Sequence, residues 1–308
     1  MACWADQPVT VQAPATSANL GPGFDSLGLA LSLYDTVRAS ILPSGLEVTV
    51  TGAGADAAGR GDEHLVIRAM RAAFSVIGAH PPGIAVNCGN DVPQGFGLGS
   101  SAAAIVCGLL AARALAGDDG AAALPAGALL RLATELEGHP DNVAACLSGG
   151  LTISWTTPGG PAVARLAPLA ELAPVLCVPA VPLATVTARK ALPDLVPHAE
   201  AAANSARAAL LIAALTSRPD LLLAGTEDFL HQPYRVAAMP ATAALVSRLR
   251  DAGIAAVVSG AGPSALALTV DGRGPDSADV ARIAADAADP WQVLPLQVDT
   301  AGARLLPG

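Results

Sequence analysis

Pro93-Gln94-Gly95-Phe96-Gly97-Leu98-Gly99-Ser100-Ser101-Ala102-Ala103-Ala104 places three glycines and two serines directly ahead of an alanine- and leucine-rich run. Glycine lets a backbone approach a bulky anion, and a serine hydroxyl can cap a helix or reach an oxygen or a metal. The first turn of a helix adds amides that have no intrahelical acceptor. Together these could cradle a phosphate chain. A lone glycine-rich turn with a serine N-cap would read the same way over a few residues; the length of this segment favours the anion site. It is not a Walker A loop, which needs a lysine on the β- and γ-phosphates, because the only lysine is Lys190. Gly260-Ala261-Gly262-Pro263-Ser264-Ala265 formally fits a dinucleotide fingerprint. However, Pro263 sits inside the turn and too little chain follows to build half of a dinucleotide-binding fold.

These loops need elements to hold them. Val9 to Ala13 and Leu46 to Thr51 are β-branched or alternating and border turn-forming residues, so they read as strands, as do Leu151 to Trp155, Val175 to Val178 and Ile254 to Ser259. Ala102 to Leu115, Leu129 to Glu137, Glu200 to Leu215 and Thr242 to Ala252 read as helices. Strands and helices recur in both halves, which gives an α+β class with a soft boundary between Thr156 and Pro174. No repeat of fixed period is present.

Composition narrows the chemistry further. The 308 residues, 52% hydrophobic, can bury a sizeable core at the upper edge of one domain, and two intimately packed lobes are expected. A formal charge of −9, with no basic run, argues against nucleic acid as a partner. The apolar run Ala102 to Ala112 is too short for a membrane span, and no secretory signal is read at the start, so a cytoplasmic protein without a membrane partner is expected. Cys3, Cys88, Cys107, Cys146 and Cys177 are odd in number and widely spaced, as expected of reduced, mostly buried thiols.

Pro93 to Ala103, written PxxxGLGSSAA, resembles the phosphate loop of the GHMP kinases. Pro14-Ala15-Thr16-Ser17-Ala18-Asn19-Leu20-Gly21-Pro22-Gly23-Phe24-Asp25 and Ser259 to Ser264 are similar to that family's N-terminal motif and C-terminal glycine loop, in the right order. The wording of the first of these, with Glu137-Gly138-His139-Pro140-Asp141-Asn142, Thr185-Val186-Thr187-Ala188-Arg189 and His231-Gln232-Pro233-Tyr234-Arg235, narrows the resemblance to the branch whose substrate is L-homoserine. The resemblance implies a two-lobed α+β fold, with an N-terminal lobe over 1–160 containing a left-handed βαβ crossover and a C-terminal ferredoxin-like lobe over 161–308. It also implies a homodimer. The implied activity is transfer of the γ-phosphoryl group of ATP, with Mg²⁺, to the side-chain hydroxyl of L-homoserine, on the route to threonine.

Residue roles follow from the same resemblance. Pro93, Gly95, Gly97, Leu98, Gly99, Ser100, Ser101 and Ala102 would hold the nucleotide phosphates. Ser101 and Glu135 would hold Mg²⁺, a cation that takes hard oxygens. Residues two apart on a helix face different ways, so only one of Glu135 and Glu137 can easily face the loop, and the resemblance implies Glu135. Asn142 would orient the γ-phosphate. Arg189 and Arg235 would bind the substrate carboxylate, and Asn19 and Asp25 the amine and hydroxyl end, with His139, Thr185 and Gly262 in the same pocket. No residue stands out as a general base, which a loose phosphoryl-transfer transition state scarcely requires. His64 stands where the branch commonly has asparagine on the adenine side. Two rival readings are another GHMP kinase, acting on an isoprenoid or sugar alcohol, and a catalytically silent nucleotide-binding relative.

Overall fold

Apolar and β-branched runs build two sheets in the computed structural model, which describes residues 4–56, 59, 61–183 and 185–307, without the side chains of residues 185–187. The first sheet uses β1 (Val9–Ala18), β2 (Leu27–Leu42), β3 (Gly45–Gly52), β4 (Gly83–Asn90), β5 (Leu151–Thr157), β6 (Gly160–Leu166) and the late β11 (Arg304–Leu306). Its order is β11-β1-β2-β4-β3. The 16-residue β2 pairs along one stretch with β4 and along another with β5, which carries the β5–β6 hairpin. β3 and β4 run parallel, and α1 (Leu65–Ile77) makes the crossover between them.

One face of this sheet is covered by α1, α2 (Ser100–Leu115), α3 (Gly117–Ala123), α4 (Ala126–Glu137) and α5 (Pro140–Ser148). The alanine-rich α2 is apolar on nearly every face, so it is stable only when surrounded. Most of its residues between Ala102 and Leu115 are buried among α1, α4, α5 and β1.

The second sheet is antiparallel, β10-β7-β9-β8, built from β7 (Leu172–Pro179), β8 (Ala255–Val258), β9 (Ala265–Val270) and β10 (Trp291–Pro295). Its helices are α6 (Thr185–Lys190), α7 (His198–Thr216), α8 (Leu222–Gly225), α9 (Gln232–Arg235), α10 (Pro240–Asp251) and α11 (Ser277–Ala285). α10 and α11 pack with β8, β9 and β10 around Leu245, Leu249 and Val280. A further apolar cluster, containing Leu20, Leu29, Leu98, Leu176, Leu211 and Leu266, draws on both sheets and welds the lobes together.

The α+β class holds, and the strands and helices read from the sequence are present with ends shifted by a few residues. The expected boundary at 160 falls inside the β5–β6 hairpin, because ladder pairing carries the first sheet through Leu166, and β11 returns to it at the other end of the chain. The described cysteines, Cys88, Cys107, Cys146 and Cys177, are buried free thiols; Cys3 lies outside the described residues. Among the described residues no helix is long and apolar enough to cross a membrane.

Candidate active site

The phosphate loop ends at Gly99, and α2 begins at Ser100. Gly95, Gly97 and Gly99 have φ of 80°, 73° and 66°, a left-handed region where a side chain is strained. Space is as restrictive as conformation. A Cβ on Gly97 would lie 2.1 Å from the Ser259 carbonyl oxygen, and one on Gly99 would lie 2.0 Å from Thr16 Oγ1. With those glycines in place, the amides of Ser100, Ser101 and Ala102 open the helix without intrahelical acceptors, where an anion is favoured. The Ala102 side chain itself is core. Pro93 is half-buried at the loop's entry.

Loops from both lobes lock onto this turn. Thr16 N–H donates to the Leu98 carbonyl at 2.9 Å, and Thr16 Oγ1 donates to Asn142 Oδ1 at 2.8 Å. Ser259 Oγ donates to the Gly97 carbonyl at 2.8 Å and lies 2.9 Å from Ser17 Oγ. Gly260 N–H reaches the Ala18 carbonyl at 3.1 Å, and Asn19 Nδ2 donates to the Gly260 carbonyl at 2.9 Å. The β1–β2 connection is bent hard to make these contacts: Asn19, Leu20 and Asp25 all have positive φ, at 68°, 50° and 53°. Strain of this kind persists where surrounding contacts over-determine the backbone.

The result is one cleft of about 620 Å³ whose lining includes Gly95, Gly97, Gly99, Ser101, Glu137 and Arg235. Leu98, Ser100, Asn19, His139, Asn142 and Arg189 also border it, so the two glycine-poor motifs, 137–142 and 231–235, meet the phosphate loop there.

Glu137, and not Glu135, faces the loop. Ser101 Oγ donates to Glu137 Oε1 at 2.6 Å, whereas Glu135 is exposed. The rule that residues two apart diverge on a helix is obeyed, and the choice between them is corrected. Glu137 is the last residue of α4, followed by Gly138 at φ 95°, so it stands where the chain turns into α5 beside the loop. Burial holds the Glu137 carboxyl above the usual range, and the bond from Ser101 opposes that rise.

The Ser101 hydroxyl and Glu137 carboxylate are converging hard oxygens, a donor pair that fits Mg²⁺ sharing its remaining positions with phosphate oxygens and water. Among the described residues no group of three or more His, Cys, Asp or Glu forms a larger protein cage. Beside them, His139 Nδ1 and Asp141 Oδ1 are 2.6 Å apart, and this bond holds the imidazole pKa up. Asp141 also accepts from Asn142 N–H at 2.7 Å, fixing the start of α5.

In the wall of the same cleft, Arg235 is 1% exposed yet cationic. Its Nε donates to the Ala188 carbonyl, and its Nη1 to His231 Nδ1 at 3.1 Å and the Gly260 carbonyl at 3.2 Å. This makes His231 Nδ1 an acceptor, so its Nε2–H donates to the Gly21 carbonyl at 2.8 Å, and burial lowers the imidazole pKa. Nη2 has no hydrogen-bond partner among the described residues, and it is the part of the guanidinium left for a ligand. Burial, and then neighbouring Arg189, lowers the Arg235 pKa, as expected of a cation awaiting an anion.

Arg189 and Asp25 form a bidentate pair at 2.7 and 3.1 Å. Both arginines lie over the Phe24 ring, at 5.7 and 5.6 Å from its centroid, which offsets part of the repulsion between them. Three expected pocket residues differ: Asp25 is outside the cleft's lining and joins it through Arg189. Gly262 is turned away from the cleft and packs against Met239, its place taken by Gly260 and Ala261. Thr185 opens α6, but its side chain lies outside the described residues. Phe24, Thr16, His231 and Ser259 were not singled out, although all four stand inside the motifs that were; the missing signal was which motif residues point outward and which inward.

A helix start open to anions faces a hydroxyl–carboxylate pair and one buried arginine here, an arrangement suited to moving a phosphoryl group. Residues 64–150 match the GHMP kinases N terminal domain, and residues 199–292 match GHMP kinases C terminal. The chain belongs to the GHMP kinase family. Over 97% of its length it is 52% identical to the homoserine kinase of Streptomyces coelicolor, covering 94% of that protein. The crystal structure of homoserine kinase from Cytophaga hutchinsonii superposes with a TM-score of 0.86 at 26% identity, covering 99% of this chain and 100% of that one. Mevalonate kinase from L. major, 15% identical with a TM-score of 0.68 over 98% of this chain and 100% of that one, shares the fold.

Proposed function

We propose that this cleft transfers the γ-phosphoryl group of ATP to the side-chain hydroxyl of L-homoserine. The observation that carries the reading is that a phosphate cradle and a buried, incompletely paired arginine line one cavity. Near-full-length identity of 52% to a homoserine kinase supports it independently.

The chain's residues divide the work. The amides at 100–102 and the 95–99 turn hold the phosphate chain, so the nucleotide arrives with its γ-phosphate directed into the cleft. Ser101 and Glu137 would hold Mg²⁺, which supplies charge neutralisation to the phosphate oxygens. Asn142, whose Oδ1 accepts from Thr16, would donate an amide hydrogen to a γ-phosphate oxygen.

Arg235 Nη2 takes the α-carboxylate of the amino acid, where an incoming anion completes a buried guanidinium. The Asp25–Arg189 pair offers one acid and one base, the complement of a zwitterion's ammonium and carboxylate. Asp25 would take the ammonium and Arg189 the carboxylate. With the head group fixed, the hydroxyl oxygen attacks phosphorus, the bond from phosphorus to the bridging oxygen breaks, its electron pair leaves with ADP, and the hydroxyl proton passes late to an oxygen of the transferred phosphoryl group. Holding the two reactants in line supplies most of the acceleration in such a step.

ADP release from ATP and Mg²⁺ should depend on L-homoserine and fail with mevalonate, galactose, L-serine or no acceptor. Turnover with another of these acceptors would void the pocket assignment. We place the enzyme in the cytoplasm as a homodimer, on the family's behaviour; light scattering in solution checks the latter.

A further inference from the structure

A second cavity of about 250 Å³ adjoins the main cleft, sharing Leu65, Ser100 and Ser101 with it, and is lined on its far side by Asp35, Val37, His64 and Asn90. Asp35 lies on β2 opposite Asn90 of β4 and is 5% exposed. One of its oxygens, Oδ1, accepts from the amides of both Asp91 and Val92 at 2.9 Å, tying down the residues just before the phosphate loop. The other oxygen, Oδ2, has no hydrogen-bond partner among the described residues. His64 Nδ1, in the wall of the same cavity, is buried without a partner among them.

Native interiors seldom leave an atom like His64 Nδ1 unsatisfied, and Asp35 lines the cavity with an acceptor oxygen that has no donor among the described residues, open to one brought by a ligand. Burial accordingly pushes the Asp35 carboxyl up to about 6. A donor reaching Oδ2 would enter from the cavity, on the loop side where the nucleotide's phosphates are held. We propose that Asp35 is the residue that selects the nucleobase, its Oδ2 accepting a hydrogen from the exocyclic amine of a 6-aminopurine. This rests on the nucleotide reading above. A 6-oxopurine would set carbonyl oxygen against carboxylate oxygen and be rejected. A site built around a hydrogen-bonding group discriminates strongly against an analogue that leaves its buried partner unpaired.

Asparagine at this position makes a sharp test. Its Oδ1 can keep both loop amides, which places Nδ2 where Oδ2 stands and turns an acceptor into a donor. Calorimetric affinities of the Mg²⁺ complexes of ATP and ITP, measured on the full chain at about pH 8, above the usual range of a carboxylate, read the effect. The wild type should favour ATP by at least about tenfold. Asp35→Asn should move the ATP-to-ITP affinity ratio at least about tenfold toward ITP, and a ratio is insensitive to partial loss of folded protein.

Equal affinities in the wild type, or an unchanged ratio in the variant, would overturn the proposal. Should the variant fail to fold, the triphosphate of purine riboside, which lacks the 6-amine, should bind the wild type about tenfold more weakly than ATP; equal binding would count against Asp35. A wild type that binds both nucleotides but leaves homoserine untouched would sink the kinase reading and still report on the base.

Discussion

Glu135 and Glu137 offer the same functional group two positions apart, and only the exit of α4 separates their fates. Glu137→Gln keeps the shape beside Ser101 and removes the charge, so kcat should fall on the order of 100-fold, the usual effect of losing one electrostatic contact to a transition state. Glu135→Gln should stay within about twofold, as an exposed side chain away from the cleft. Steady-state rates of the two variants at saturating ATP and homoserine check this, and a reversed order would return the metal to Glu135. The motifs showed that a carboxylate belonged near Ser101. They did not show which one, because helix phase depends on where the helix stops, and Gly138 sets that stop by adopting a left-handed conformation. The Asp25–Arg189 pair was hidden for a different reason. Its members are 164 residues apart, and no local rule brings them together.

At the scale of elements, the phosphate loop works because other loops press on it. Gly97→Ala should abolish transfer and lower the melting temperature, because a methyl group at φ 73° would collide with the Ser259 carbonyl and part the two glycine loops. The backbone conformation alone costs on the order of 1–3 kcal/mol, and the collision adds to it. Thermal unfolding and activity should fall together, whereas Gly45→Ala, at φ 84° on the exposed β2–β3 turn with open space around it, should lose stability with activity retained. Helices such as α2 and α7 were legible from composition and the absence of breakers. The long β2 and the short α6, α8 and α9 were not. β2 changes partners partway along, so its apolar pattern never settles into one alternation. Helices of four to six residues carry too few turns to show a period.

The whole molecule carries a pH signature from Asp35. Its folded pKa of about 6 lies above the ordinary 3.8, so the native state holds a proton that the unfolded state releases, and this group's contribution falls as pH rises from about 4 through 6. The swing is on the order of 3 kcal/mol. Asparagine does not titrate. The urea midpoint of Asp35→Asn relative to wild type should therefore rise between pH 4 and pH 7; a constant difference would show that the carboxylate is fully compensated in place.

The two lobes were legible as recurring strands and helices, and the soft boundary between Thr156 and Pro174 takes in the junction between β6 and β7. The C-terminal β11 belongs to the sheet opposite the one its sequence position suggests. Long-range pairing decides that, and local pattern does not record it. The cleft lies between the lobes, with the phosphate loop from one lobe and the arginines from the other. Phosphorus-31 NMR of the protein with ATP, Mg²⁺ and L-homoserine tests the joint action of the two lobes most directly. The account predicts a new phosphate monoester resonance that grows in step with ADP and requires homoserine; ATP left intact, or converted to ADP and inorganic phosphate without the ester, would contradict it.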